Sequence, residues 1–373
     1  MERDIEYDYW WASIEGAFQC PLCSVAMQAG SAKRLYEMDA ENLASLKGIT
    51  KEHAECIVRK REKWDLKGEY EKCIKSGIRF IPHYAREYPV RLRRISGHPF
   101  AIFVIGKLPD DNKRSVALIG ARNCSEYGRH MAYELGSELA LNGIAVISGM
   151  AYGIDSISQK AAVEADGYSC GVLGCGVDIC YPSSNRELYE RLKITGGLVS
   201  EYPPGTSPRP ALFPPRNRII AALSDLVVVV EARKKSGTGI TVEMALDQGK
   251  DIAVVPGRVT DPLSEGCIDL WKQGAIPVGN AEDIIEILRP LYPEDEDICQ
   301  NDGYGDRNGS SQTAVIDDPL QKKIYDFLAY DPVDTETICE RLGLDIFDAI
   351  EALTVLRISG HIRELSKDCY VKE

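Results

Sequence analysis

Seven short runs with almost no polar residue recur between Ser115 and Leu288, and no other feature limits the fold as strongly. They read "VALIG", "IAVISG", "CGVLGCG", "GLVSE", "LVVVVEA", "IAVVPG" and "IPVG". Between most of them lie helical patterns such as "EYGRHMAYELGSELALNG" and "IDSISQKAAVEADG". A strand with no polar side is covered on both faces, and apolar strands alternating with helices build a mostly parallel sheet. The pattern predicts an α/β fold, a Rossmann-like doubly wound domain. One link differs: from "GLVSE" to "LVVVVEA" the chain runs through a proline-rich loop and a short helix.

The flanks read differently. Residues 1–77 show helical periodicity, with Leu35, Met38, Leu43, Leu46 and Ile57 spaced for one apolar face. "LASLKGITKEHAECIVRKRE" resembles a helix-hairpin-helix, with Thr50 where the hairpin's second glycine usually stands. That leaves phosphate contact or a packing role open for this SAM-like segment. Residues 78–108 are aromatic and β-branched, end in a strand-like run at Ala101–Ile105, and join the central domain, giving it the span 78–288. Residues 289–318 are acidic, rich in Gly, Ser and Asn, and poor in large aliphatics, as a linker is. Residues 319–373 return to helical periodicity and close with two short strand patterns, the outline of a winged helix.

The formal net charge is −13, and most of it falls after residue 288. A winged helix that reads duplex DNA is basic, so the acidic one here points first to packing or protein contact. No apolar run is long enough to span a bilayer, and "MERDIEYDYWW" has no signal-peptide pattern, so the expected location is the cytoplasm. The 12 cysteines are scattered, as reduced thiols are. Cys20 and Cys23 form a lone CxxC, and a zinc site needs two more ligands that no second motif supplies.

In an open α/β sheet, ligands bind beyond the carboxyl ends of the strands, where helix amino termini present free N–H groups. Four loops at those positions combine glycines with hydroxyl or basic residues. They are Gly120-Ala121-Arg122-Asn123, Ser148 to Asp155, Gly174-Cys175-Gly176, and Lys234 to Thr241, with Arg258 after the next strand. Glycines admit a close ligand, and arginines grip phosphate with two N–H groups. The alternative for any one loop is a glycine that only ends a strand. For four converging loops, phosphate binding is the stronger reading.

The phosphate site is not one of the common nucleotide sites. The first strand lacks GxGxxG and the second lacks a terminal acid, so a dinucleotide does not fit. No GxxxxGK[ST] occurs, and His53, His83, His98, His130 and His361 are isolated. No catalytic machinery is marked and no cofactor is called for. The stretch "LFPPRNRIIAALSD" places Arg216, Asn217 and Arg218 at the start of a short helix on the same edge as Arg122. Phe213 beside them either stacks on a base or packs under its prolines. The plain alternative for the arginines is an ion pair with Asp225 or Glu231.

Taken together, "VALIGARN", "ISGMAYGID", "VLGCGVDICYPSSNREL", "LVSEYPPGTSPRPALFPPRNRIIAALSD", "VVVVEARKKSGTGIT" and "PLSEGCIDLWKQGA" resemble the DNA processing protein A family, DprA or Smf, across residues 78–288. The resemblance implies a protein that binds and protects single-stranded DNA, loads the RecA recombinase during natural transformation, and dimerises through its Rossmann-like domain. Carried over position by position, it implies DNA contacts at Gly120, Arg122, Ser148, Gly149, Gly153, Asp155, Phe213, Arg216, Asn217, Arg218, Ser236, Gly237 and Thr238. Asp155 would act there by capping a helix or orienting an arginine. Three positions depart from the family pattern: Tyr152 stands where arginine is common, Gly239 where leucine is common, and Cys124 where proline is common. Two other readings remain. One is a nucleoside-monophosphate phosphoribohydrolase of the lysine-decarboxylase-like type, with "SGTGITVEMAL" supplying Glu243. The other is a nucleotide-sensing module without DNA.

Overall fold

The structure is a computed structural model that describes residues 5–14, 21–292, 316, 318–329, 332–366 and 368–372. Cys20 of the CxxC pair and most of the 289–318 stretch lie outside these residues. The first segment forms six helices: α1 (Ile5–Ser13), α2 (Leu22–Ala29), α3 (Ala32–Glu37), α4 (Ala40–Ser45), α5 (Lys51–Arg61) and α6 (Leu66–Lys75). Leu35, Leu43 and Ile57 are fully buried, as their spacing predicts. They share one core with Trp10 and Trp11, with Phe80 and Phe103, and with Leu188 and Leu192 further along the chain. Thr50 has a local explanation: its Oγ1 accepts the His53 N–H at 3.2 Å and caps α5.

The sheet has nine strands: β1 (Arg79–Pro82), β2 (Ala101–Gly106), β3 (Ser115–Ile119), β4 (Ala145–Ser148), β5 (Ser169–Leu173), β6 (Gly197–Ser200), β7 (Leu226–Val229), β8 (Asp251–Val254) and β9 (Ile276–Pro277). Their order is β1-β2-β6-β5-β4-β3-β7-β8-β9. The seven apolar runs are β3 to β9, and every pair among them is parallel. The antiparallel β1 and β2 extend the sheet beside β6.

The intervening helices are α7 (Val90–Arg93), α8 (Glu126–Leu141), α9 (Ile154–Glu164), α10 (Arg186–Thr195), α11 (Phe213–Ala222), α12 (Gly237–Asp247), α13 (Glu265–Lys272) and α14 (Ala281–Leu288). Strand side chains alternate between two cores. Phe103 enters the core shared with the first six helices, while Ile102 and Val104 join Val227, Val229 and α11 on the other face. Val227, Val228 and Val229 have no exposed surface, each burial contributing roughly 1.5–3 kcal/mol.

The C-terminal segment forms helices Pro319–Phe327, Thr335–Leu342 and Ile346–Ile358 with strands β10 (Val333–Asp334), β11 (Ile362–Ser366) and β12 (Cys369–Lys372), ordered β10-β12-β11. This is the winged-helix outline expected from sequence. Its core gathers Ile324, Ile338, Leu353, Leu356 and Tyr370. Some of its acids are structural: Asp318, Asp334 and Asp345 each cap one of the three helices. Among the described residues no helix is long and apolar enough to cross a membrane.

Candidate functional site

The sheet changes direction at β3, whose neighbours β4 and β7 are reached by different connections. A ligand crevice is expected beyond the carboxyl ends at such a point. A pocket of about 530 Å³ lies there, lined by the loop after β3, the loop after β4, the start of α11 and the start of α12.

One wall is tightly built. Arg216 is 5% exposed, and its Nη1 donates to the Gly149 carbonyl at 2.9 Å and to the Val172 carbonyl. It thus joins the ends of β4 and β5 to α11. Asp155, in the first turn of α9, is 7% exposed and accepts the Gly149 N–H at 3.1 Å. Burial pushes the Asp155 carboxyl up, and Arg216 only partly opposes it. Burial likewise draws the Arg216 guanidinium down to about 10 against the pull of Asp155. Gly149 lies between the two charged groups: a Cβ there would sit 2.6 Å from Arg216 Nη2 and 2.8 Å from Asp155 Oδ2.

The neighbouring glycines serve the same packing. A Cβ on Gly120 would be 2.7 Å from Ile154, and one on Gly153, whose φ is +74°, would strike the Ala121 carbonyl. Ser148 is fully buried and donates to the Leu118 carbonyl at 2.6 Å.

The other side is open. Arg122 and Arg233 line the pocket and are exposed, and among the described residues neither makes an ion pair. Ser236 is the N-cap of α12 and its side chain makes no capping bond, so the first N–H groups of that helix face the pocket. A Cβ on Gly237 or Gly239 would meet nothing within 4 Å. Thr238, Asn217 and the rings of Phe213 and Tyr181 complete this side.

The motif residues therefore divide. Gly120, Arg122, Asp155, Phe213, Arg216, Asn217, Ser236, Gly237 and Thr238 line the pocket; Ser148, Gly149, Gly153 and Arg218 do not. The family resemblance implies DNA contacts at Arg216 and Arg218, yet each guanidinium already has protein partners. Arg218 Nη2 meets Glu201 Oε1 at 2.7 Å and its Nε donates to the Gly97 carbonyl at 3.0 Å. Burial pulls Arg218 down, and Glu201, with Tyr202 and Tyr88, more than offsets it, leaving the group raised. The partners considered from sequence, Asp225 and Glu231, are not the ones used; Asp225 sits 3.2 Å from Arg91.

Arg218 borders a larger cavity of about 1180 Å³ with Cys23, His98 and Glu201. That cavity lacks the four motif loops, and its arginine is already paired with Glu201, so the smaller pocket is the better phosphate site. Sequence reasoning missed Arg233 and Tyr181. Arg233 directly precedes the basic pair Lys234-Lys235, which was the available signal. Glu243 is exposed on α12 and does not line the pocket. Among the described residues no group of three or more His, Cys, Asp or Glu is placed to hold a metal ion.

Residues 79–289 match the family model of DNA recombination-mediator protein A, and residues 309–366 match the DprA winged helix domain. DNA processing protein DprA of Bacillus subtilis is 39% identical over 213 residues, 57% of this chain and 72% of its own length. Protein Smf of Escherichia coli is 35% identical over 301 residues, 78% of this chain and 79% of its own. The X-ray structure of DprA from Streptococcus pneumoniae superposes with a TM-score of 0.64 at 27% identity, covering 75% of this chain and 97% of that one. DNA processing protein A from Helicobacter pylori, whose structure concerns a unique single-stranded DNA binding mode, gives a TM-score of 0.52 at 28% identity over 58% of this chain and 97% of that one. With the model match spanning more than half of its residues, the chain belongs to the DNA recombination-mediator protein A family, DprA or Smf.

Proposed function

We propose that the pocket beyond β3 and β7 is part of a groove for single-stranded DNA. In this reading the chain acts without catalysis in the cytoplasm, protecting incoming strands and loading the RecA recombinase during natural transformation. One observation carries it: two exposed arginines that make no ion pair among the described residues, a helix amino terminus without a side-chain cap and an aromatic pair share one pocket. Phosphates need the first two, bases the third, and single-strand grooves combine them. The single-stranded DNA binding mode of the Helicobacter pylori relative supports the same ligand.

The site residues take two roles in this proposal. Arg122, Phe213, Asn217, Ser236, Gly237 and Thr238 touch DNA, with Arg233 added. Gly120, Ser148, Gly149, Gly153, Asp155 and Arg216 hold the wall, and Arg218 anchors its loop through Glu201. The organisation proposed is a helical segment over 1–77, the DNA-binding domain over 78–288, a linker over 289–318 and the winged helix over 319–373. A homodimer through the Rossmann-like domain, which the family resemblance implies, is part of the proposal.

A labelled dT oligomer tests the reading. It is expected to bind at low salt, more tightly than a duplex of equal length, and to dissociate as salt rises. Absence of binding at low salt, or release of free base from nucleoside monophosphates, overturns it.

A further inference from the structure

The two rings at the pocket are not equivalent. Phe213 is the inner one. It lies directly on the backbone of Gly174, where a Cβ would be 2.6 Å from its ring, and the Arg216 guanidinium carbon is 5.8 Å from its centroid. Tyr181 is the outer one. Its centroid is 5.5 Å from that of Phe213, the planes are 32° apart, and it remains 44% exposed. One face of the tyrosine is therefore supported and the rest is presented at the pocket. The loop that carries it is tied down four residues later, where Asn185 Nδ2 donates to the Met150 carbonyl at 2.9 Å.

We infer that Tyr181 is a base-stacking residue of this groove, with Phe213 as the ring that supports it; the inference rests on the single-strand reading above. A large ring left half exposed on top of another ring is already positioned, so little rotamer freedom is lost when a ligand covers it. The ligand that fits is a nucleobase carried by a backbone whose phosphates lie toward Arg122, Arg233 and the start of α12. Every base has a π face, so the contact tolerates sequence. Phe213 is packed on Gly174 and Tyr181, so besides its own edge at the pocket it holds the tyrosine ring in place.

The test compares the parent chain with Tyr181→Ala, Tyr181→Phe and Tyr181→Trp. Each is titrated at low salt with a dT oligomer and with an abasic oligomer of equal length. The alanine variant is expected to lose about tenfold on the dT oligomer and nothing on the abasic one. The phenylalanine variant is expected to match the parent on both, and the tryptophan variant to show emission quenched by dT only. The inference is overturned if Tyr181→Ala binds dT as the parent does, or loses equally on both oligomers. Should the alanine variant fail to fold, the tryptophan variant decides: emission unchanged by saturating dT overturns the inference. A parent that binds neither oligomer overturns the single-strand reading itself, a different and separately visible result.

Discussion

The two sides of the pocket use the same residue types for opposite purposes. On the wall, glycines are needed because the protein itself occupies the space a Cβ would take. On the rim, Gly237 and Gly239 face space that nothing in the chain fills. On the wall an arginine is buried against two carbonyls; on the rim two arginines are exposed and make no ion pair among the described residues. A glycine or arginine in a phosphate-type motif is thus not by itself a contact. What decides its role is whether its neighbours already satisfy it.

The largest effect that could break this division is on stability. Arg216→Ala leaves two buried carbonyls without their donor and Asp155 without its nearby cation. Each buried acceptor left without its donor costs about 1–3 kcal/mol. Urea unfolding is expected to show this loss, whereas Arg122→Ala stays within about 0.5 kcal/mol of the parent, as exposed positions do. Similar losses for both, or for neither, would erase the distinction between wall and rim.

The glycines give a smaller contrast. Gly149→Ala drives a methyl into Arg216 and Asp155, and overpacking of this kind costs typically about 1–3 kcal/mol. Gly237→Ala has open space and is expected to leave the unfolding midpoint unchanged while weakening oligomer binding. If instead Gly149→Ala is as stable as the parent, the wall is looser than its contacts indicate.

The sheet was readable because burial leaves a mark in its inner strands: β3 to β8 coincide with six buried apolar runs, and the seventh run forms β9, whose two residues are exposed at the edge. The motif loops were placed at the correct edge for the same reason, since strand ends are visible in sequence. What sequence could not show was the direction of a side chain. Arg216 and Arg218 are two residues apart on α11, so they project to different sides, one into the sheet end and one toward Glu201. Glu201 follows β6 and is distant in sequence, as are the Gly149 and Val172 carbonyls. A partner that depends on three strands meeting cannot be found from the spacing of one motif. Tyr181 was hidden likewise, because its significance comes from Phe213, thirty-two positions later.

A still smaller effect sharpens the rim. Each arginine that neutralises a phosphate of a single strand contributes about 0.7 to the slope of log K against log salt. Replacing Arg122 and Arg233 together is expected to flatten that slope by roughly twice this value without altering thermal stability. A slope unchanged in the double variant would move the phosphate path elsewhere.

The last contrast is in pH. Asp155 holds its proton more tightly when folded than when unfolded, because burial outweighs the attraction of Arg216. A group with a raised folded value adds stability as pH falls through that value, fully so once pH is below the ordinary carboxylate range near about 4. Asp155→Asn lacks this contribution. The stability difference between parent and variant is therefore expected to shift in favour of the parent between neutrality and about pH 4. The rim has no comparable group. None of the five histidines lines the pocket, so oligomer affinity should be flat from about pH 6 to about pH 8. A stability difference that does not move with pH would mean that Arg216 keeps Asp155 ionised throughout, and the wall would then be held by opposite charges rather than by a buried acid beside a hydrogen-bonded arginine.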